Sequence, residues 1–214
     1  MAKIVPGILT NDENDYVARL RRAEHVSDLI QVDVIDGFFA PNHTVGVDTI
    51  KKYPSNSMLE VQLMVKDPSS HIAKLADIDF VSRIIFPYET KENVLENIYK
   101  VKSMDKQVGL SINPETSVET IIGFSENLDL LCIFSASPGF SGKKLQEPVY
   151  RRIKESKLLE PYLPVEIDIG VNFDTAPLLA KAGADFLVAT SALHNAPDYV
   201  VAYEKLDKLA KVKR

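Results

Sequence analysis

Short apolar runs alternate along this chain with longer stretches in which apolar residues recur every three or four positions. Eight such pairs can be counted in 214 residues. The runs read as strands and the longer stretches as amphipathic helices. A first strand is expected at residues 4–9, with Thr10 or Asn11 capping a helix to about residue 26 that carries Tyr16, Leu20 and Ala23 on one face. The second strand opens the stretch 29–42: Ile30, Val32 and Val34 alternate with Gln31, Asp33 and Ile35, and Asp36-Gly37 then turns the chain into an aromatic loop closed by Pro41-Asn42. A short helix near 47–53 and a third strand at 59–65 follow, and Pro68 suits the first turn of the next helix.

The alternation continues with a strand at 80–86, stopped by Pro87, and a helix at about 91–104. Strand five, 107–112, ends at Asn113-Pro114, and Ser117 is expected to cap a helix containing Ile121 and Ile122. Strand six, 128–135, leads through Pro138-Gly139-Phe140-Ser141-Gly142 to a helix around 147–157. Strand seven is Val165–Asp168, with Asp174 capping a helix that ends at Gly183; strand eight is 185–189, and a last helix spans about 198–211.

No linker or low-complexity segment interrupts the series, so residues 1–214 read as one α/β domain, either an open doubly wound sheet or a closed (β/α)8 barrel. A nucleotide-binding doubly wound sheet places a glycine-rich turn after its first strand. Here that turn is Thr10-Asn11-Asp12-Glu13-Asn14, and the glycine-bearing turns follow strands six and seven instead. Barrels hold phosphate in their late loops, so the pattern favours a single TIM barrel.

In a barrel the site lies at the C-terminal strand ends. A step of two puts Gln31 with Asp33, Gln62 with Met64, and Glu166 with Asp168 on the interior face. Polar pairs inside apolar strands are costly unless they face a site. Carboxylates from strands two and seven approach a substrate from opposite sides, the arrangement needed to take a proton from one face of a carbon and return one to the other. Asp33 and Asp168 are therefore the catalytic candidates, against the alternative of solvated rim residues or structural acceptors. If they lie close without a cation, at least one pKa should be raised. For an anion, Gly139 and Gly142 with Lys143 or Lys144, Gly170, and Thr190-Ser191 fall in the loops where a phosphate cup is expected.

Composition changes this picture little. A net charge of −5 gives no case for nucleic acid or an anionic membrane as partner, so an anionic substrate needs local donors. The single cysteine, Cys132, sits in an apolar run and reads as a buried thiol; it excludes an internal disulfide and a cysteine-based zinc site. His25 and His71 read as surface residues, whereas His43 and His194 lie on the presumed active face. No apolar stretch approaches the roughly 20 residues of a bilayer span, and a cytoplasmic location is expected.

The order of motifs resembles the ribulose-phosphate 3-epimerase family from Pro6-Gly7-Ile8-Leu9 to Ala189-Thr190-Ser191-Ala192. The pieces between are Val32-Asp33-Val34-Ile35-Asp36-Gly37, Phe39-Ala40-Pro41-Asn42, Leu63-Met64-Val65, Asn113-Pro114, Ser137-Pro138-Gly139-Phe140, Glu166-Ile167-Asp168 and Gly170. The resemblance implies a barrel that binds a phosphorylated ketose and interconverts its C3 epimers through an enediolate, with Asp33 and Asp168 at the positions of the acid and base. It also implies self-association into a homo-oligomer and a divalent metal held by the two aspartates and two histidines, with no organic cofactor. Substrate contacts would fall at Gly7, Gln31, Gln62, Met64, Gly139, Gly142, Gly170, Thr190 and Ser191.

Several positions depart from the family pattern. Gln31 and Gln62 replace the metal-binding histidines, and a glutamine oxygen is a poorer zinc ligand than imidazole, though it serves harder metals. The two amides would instead donate to an enediolate, a weaker substitute. Gly7 stands for a serine and Pro87 for a histidine, while Ser141, Ile169 and Thr190 stand for glycines. Ile169 and Thr190 are expected to narrow the phosphate cup. The other readings are a catalytically altered or inactive phosphosugar-binding homologue, and a barrel enzyme acting on another phosphorylated compound.

Overall fold

The alternation within each strand sorts side chains to the two sides of a closed sheet. The computed structural model describes residues 1–90 and 93–212. Its strands are β1 (Lys3–Ile8), β2 (Leu29–Ile35), β3 (Met58–Met64), β4 (Val81–Pro87), β5 (Gln107–Ile112), β6 (Leu130–Phe134), β7 (Val165–Asp168) and β8 (Phe186–Ala189). They pair in sequence order, all parallel, and β8 returns to β1 to close the TIM barrel. The helices around it are α1 (Glu13–Glu24), α2 (Val47–Lys52), α3 (Pro68–Lys74), α4 (Val94–Lys102), α5 (Pro148–Leu159), α6 (Ala176–Ala182), α7 (Ser191–His194) and α8 (Tyr199–Ala210). No described helix is long and apolar enough to cross a membrane.

Three local expectations change. The first helix is capped by Asp12, whose carboxylate accepts from Asp15 N–H at 2.8 Å, while Thr10 Oγ1 accepts from Asp12 N–H one step earlier. Asp174 does not cap α6; Asn172 Oδ1 takes the N–H groups of Asp174 and Thr175. After β5 there is no α-helix but two 3-10 turns, Val118–Ile121 and Ser125–Asn127. Val118 and Ile121, three apart, share the buried face at 3-10 pitch, whereas Ile122 is 44% exposed. The first residues of the helix expected at 91–104 lie outside the described residues, and α4 begins after an Asn93 cap.

The main core lies between barrel and helices. Ile30, Val32 and Val34 of β2 and Leu59, Val61 and Leu63 of β3 face outward, in one cluster with Tyr16, Leu20, Ile50 and Ile72. Each such side chain contributes about 1.5–3 kcal/mol by leaving water.

The barrel interior is different. Instead of layers of branched aliphatics it buries Gln31, Asp33, Glu60, Gln62, Arg83, Ser111, Cys132, Glu166 and Asp168. A small apolar plug of Ile85, Leu130 and Cys132, backed by Phe186, sits among them. Glu60 and Arg83 are register partners on β3 and β4 and form an ion pair at 2.7 Å, with Gln107 Oε1 accepting from the same guanidinium. No donor faces either oxygen of Glu166. Burial, with the charge of Glu60 beside it, pushes this carboxyl well up.

Candidate active site

At the C-terminal end of the barrel the polar interior reaches a cleft. Asp33 is the register partner of Gln62, and Gln31 that of Glu60, so β2 and β3 stack two polar layers. β7 brings Asp168 to the same level beside Phe134 of β6. Between β2 and β7 lie only β1 and β8 on one side of the ring, so the two aspartates converge across the barrel axis.

Two amides hold them. Gln31 Nε2 donates to Asp33 Oδ1 at 2.9 Å and to Gln62 Oε1 at 2.6 Å. The same end of the Gln62 amide lies 3.0 Å from Asp168 Oδ2 and 3.2 Å from Asp33 Oδ1. One side chain therefore reaches both acids. Cys132 Sγ lies 3.5 Å from the outer end of this amide.

Burial pushes both carboxyl groups up. Asp33 goes well above the ordinary range, raised by desolvation and then by the charge of Asp168, against the hydrogen bond from Gln31. Asp168 is pushed up to about 6 by desolvation, opposed by the Ile169 N–H, which donates to Asp168 Oδ1 at 2.6 Å. Both shifts favour a proton held within the pair, which titrates as a unit.

Gln31, Asp33, Gln62 and Asp168, the positions where the resemblance implies a divalent metal, do not fit one. Gln31 turns its nitrogen to Asp33 and leaves its oxygen buried without a partner. No imidazole or thiolate joins the set, and the described residues contain no cluster of three His, Cys, Asp or Glu placed to hold a metal. The Gln31 amide nitrogen is committed to Asp33 and Gln62 as a donor, and glutamine oxygens are poorer ligands than imidazole.

The cleft itself is walled by Met64, Gly139, Gly142, Gly170, Thr190 and Ser191 around the two aspartates, joined by Leu9, Phe140, Ile169 and Val188. Gln31, one layer below Asp33, and Gln62, level with it, are fully buried and are not part of the wall. Gly7 is also absent from the wall: a Cβ there would stand 2.3 Å from Thr190 Oγ1, so a bare position 7 is what admits Thr190. Asn42 Nδ2 donates to Gly139 O at 2.7 Å and ties the loop after β2 to the loop after β6. Lys143 turns back, donating to Ser137 O at 2.8 Å over the Phe140 ring, rather than pointing into the cup.

Three of the four histidines make local contacts. His43 covers Gly37 and forms a bridge with Asp36. His194 Nε2 lies 3.0 Å from Gly7 O, and burial lowers its pKa to about 4, so it is neutral and donates to that carbonyl. His25 is exposed, and His71 Nδ1 lies 2.8 Å from Asp67 O. Sequence periodicity gave no sign of Ser135, whose hydroxyl donates to Ile169 O at 2.6 Å and fixes the peptide after Asp168. A hydroxyl just past a strand end has no pattern of its own.

The sequence model of the ribulose-phosphate 3 epimerase family matches residues 3–194. The chain belongs to this family. Similar relatives are ribulose-phosphate 3-epimerases of Bacillus subtilis, 33% identical over 209 residues covering 92% of this chain and 94% of the other, and of Methanocaldococcus jannaschii, 30% identical over 217 residues covering 98% and 92%. Among solved structures, 3-hexulose-6-phosphate synthase from Salmonella typhimurium superposes with a TM-score of 0.71 at 16% identity, covering 97% of this chain and 98% of that one. Orotidine 5'-phosphate decarboxylase from Pyrococcus horikoshii gives 0.69 at 14%, covering 99% and 100%. These two share the barrel; the epimerase relatives share the family, whose named members are isomerases.

Proposed function

We propose that this epimerase-family protein is a ketose-phosphate 3-epimerase in which Asp168 is the base and Asp33 the acid. The observation that carries the reading is the buried pair itself, with the Gln62 amide within 3.2 Å of both acids. Asp168, the anion, takes the proton from C3, and the electron pair moves toward the C2 carbonyl to form an enediolate. Asp33 then delivers its proton to C3 from the opposite face while the carbonyl reforms. The reverse epimerisation uses the two groups in exchanged roles. Gln31 holds Asp33 by a hydrogen bond, and the Gln62 amide stands between the two carboxyl groups. The loops carrying Gly139, Gly142, Gly170 and Ser191 would seat the phosphate.

The test is deuterium uptake at C3 of D-ribulose 5-phosphate in deuterated water, followed by NMR. Uptake is expected with the unaltered protein and should fall by about 10²–10⁴-fold in Asp33→Asn and in Asp168→Asn, the usual weight of a general acid or base. A protein that shows a thermal shift with ketose phosphates but no uptake from any pentulose or hexulose phosphate is a binder, and the epimerase reading fails.

A further inference from the structure

Ser135 stands just past the end of β6, 2% exposed, and takes no part in the proton transfers. Both of its donors reach the end of β7 and the residue after it. The backbone N–H donates to Asp168 O at 3.1 Å, and the hydroxyl donates to Ile169 O at 2.6 Å. These two oxygens belong to the successive peptide units on either side of the Ile169 α-carbon. One serine therefore pins both planes that the Ile169 torsions rotate, and its own carbonyl accepts from the Gln146 N–H at 3.3 Å.

The torsion held in this way is one that an isoleucine opposes. Ile169 has φ +74, in the left-handed region that β-branched residues almost never occupy. For an L-residue that conformation costs about 1–2 kcal/mol, and it persists only where the surroundings over-determine it. On the far side Gly170, at φ +76, closes against Leu145. On the near side the restraint is Ser135. The Ile169 N–H donates to Asp168 Oδ1 at 2.6 Å, and it lies in the same peptide plane that the Ser135 N–H holds by its oxygen. If that plane turns, the bond that aims the Asp168 carboxyl turns with it.

We propose that Ser135 is a positioning residue for Asp168: its hydroxyl holds Ile169 left-handed and so keeps the Ile169 N–H on the Asp168 carboxyl. The catalytic consequence rests on the reading of Asp168 as a base; the restraint itself does not. Serine and isoleucine act as one unit, so the hydroxyl matters to Asp168 only while position 169 carries a side chain that opposes the torsion. Glycine adopts the left-handed backbone without strain and needs no clamp.

The experiment is a double-variant cycle of Ser135→Ala, Ile169→Gly and the two combined, with Ser135→Thr as the conservative variant. A threonine keeps the hydroxyl, and its methyl has room in the cavity of about 190 Å³ that Ser135 lines with Arg152. Two readouts are taken: kcat and KM for epimerisation of D-ribulose 5-phosphate, and the NMR resonance of the amide at position 169, which its bond to the carboxyl shifts downfield. In Ser135→Ala kcat should fall by about ten- to a hundredfold, the scale of a misplacement of about 1 Å, with KM within about twofold and the resonance moved upfield. Ser135→Thr should keep both. In the Ile169→Gly background, Ser135→Ala should change kcat by less than about threefold and leave the resonance in place. Circular dichroism checks that each variant is folded.

Folded Ser135→Ala with unchanged kcat and resonance overturns the proposal, as does an equal loss in both backgrounds. If Ser135→Ala does not fold, the combined variant decides. Folded with the resonance in place, it supports the clamp; unfolded, it shows that the hydroxyl serves the fold alone, and the proposal fails. A resonance that follows the cycle in a protein without C3 exchange sinks the epimerase reading and leaves the clamp standing.

Discussion

Two residues on the active face titrate in opposite senses. Asp168 has a folded pKa raised from 3.8 to about 6, so between those values the native state holds a proton that the unfolded chain has lost, and stability falls as pH rises through the window. His194 is lowered from 6.5 to about 4; the native state refuses a proton that the unfolded chain accepts, and stability falls as pH drops through that window. Relative to the unaltered protein, Asp168→Asn should therefore gain stability steadily as pH rises from about 4 to 6. His194→Asn should gain it, relative to the unaltered protein, as pH falls from about 6.5 to 4. Urea denaturation at a series of pH values reads both slopes, and parallel curves would refute the assignment. The sequence shows Asp168 as a candidate by its place at a strand end, but the desolvation that tunes it depends on the eight strands closing around it.

At the scale of elements, the strands were legible because period-two alternation is local, and all eight occur where apolar runs predict them. Element ends were less so. The cap of α1 is chosen by backbone geometry among the adjacent polar residues Thr10, Asn11 and Asp12, and a pattern cannot separate neighbours of similar capping propensity. Asp12→Ala should cost about 1 kcal/mol of stability, with Asn11→Ala near neutral; chemical denaturation checks it, and equal costs would return the cap to the earlier residue. The missing helix after β5 has a similar origin. Ile121-Ile122 reads as helical apolar content, yet adjacent residues cannot share one helical face.

For the whole molecule, the question is how a barrel interior tolerates four carboxyl groups beside one guanidinium. Asp33, Glu60, Glu166 and Asp168 are all buried, as is Arg83. Arg83 pairs with Glu60, and burial raises Asp33, Glu166 and Asp168 above the ordinary carboxyl range, so the interior need not hold four bare charges. Removing the guanidinium alone, in Arg83→Met, leaves Glu60 buried and unpaired and should destabilise the fold by about 3–5 kcal/mol. The double variant Glu60→Met with Arg83→Met should recover most of that loss, because well-packed apolar residues replace a buried pair at little cost. Denaturation midpoints of the two variants decide it: equal losses would mean that the pair contributes through packing and not through charge.

By itself the sequence determined the eight βα units, the face on which Gln31, Asp33, Gln62, Glu166 and Asp168 lie, and the loops that carry the glycines, since these follow from periodicity and local turn chemistry. Tertiary structure decided what the side chains do to one another. That Gln31 donates to Asp33 with the Gln62 amide between the two acids, that Thr190 takes the space over Gly7, and that Ile169 turns left-handed across the mouth all depend on contacts between strands far apart in the chain. Distances across a closed ring are fixed only when the last strand meets the first.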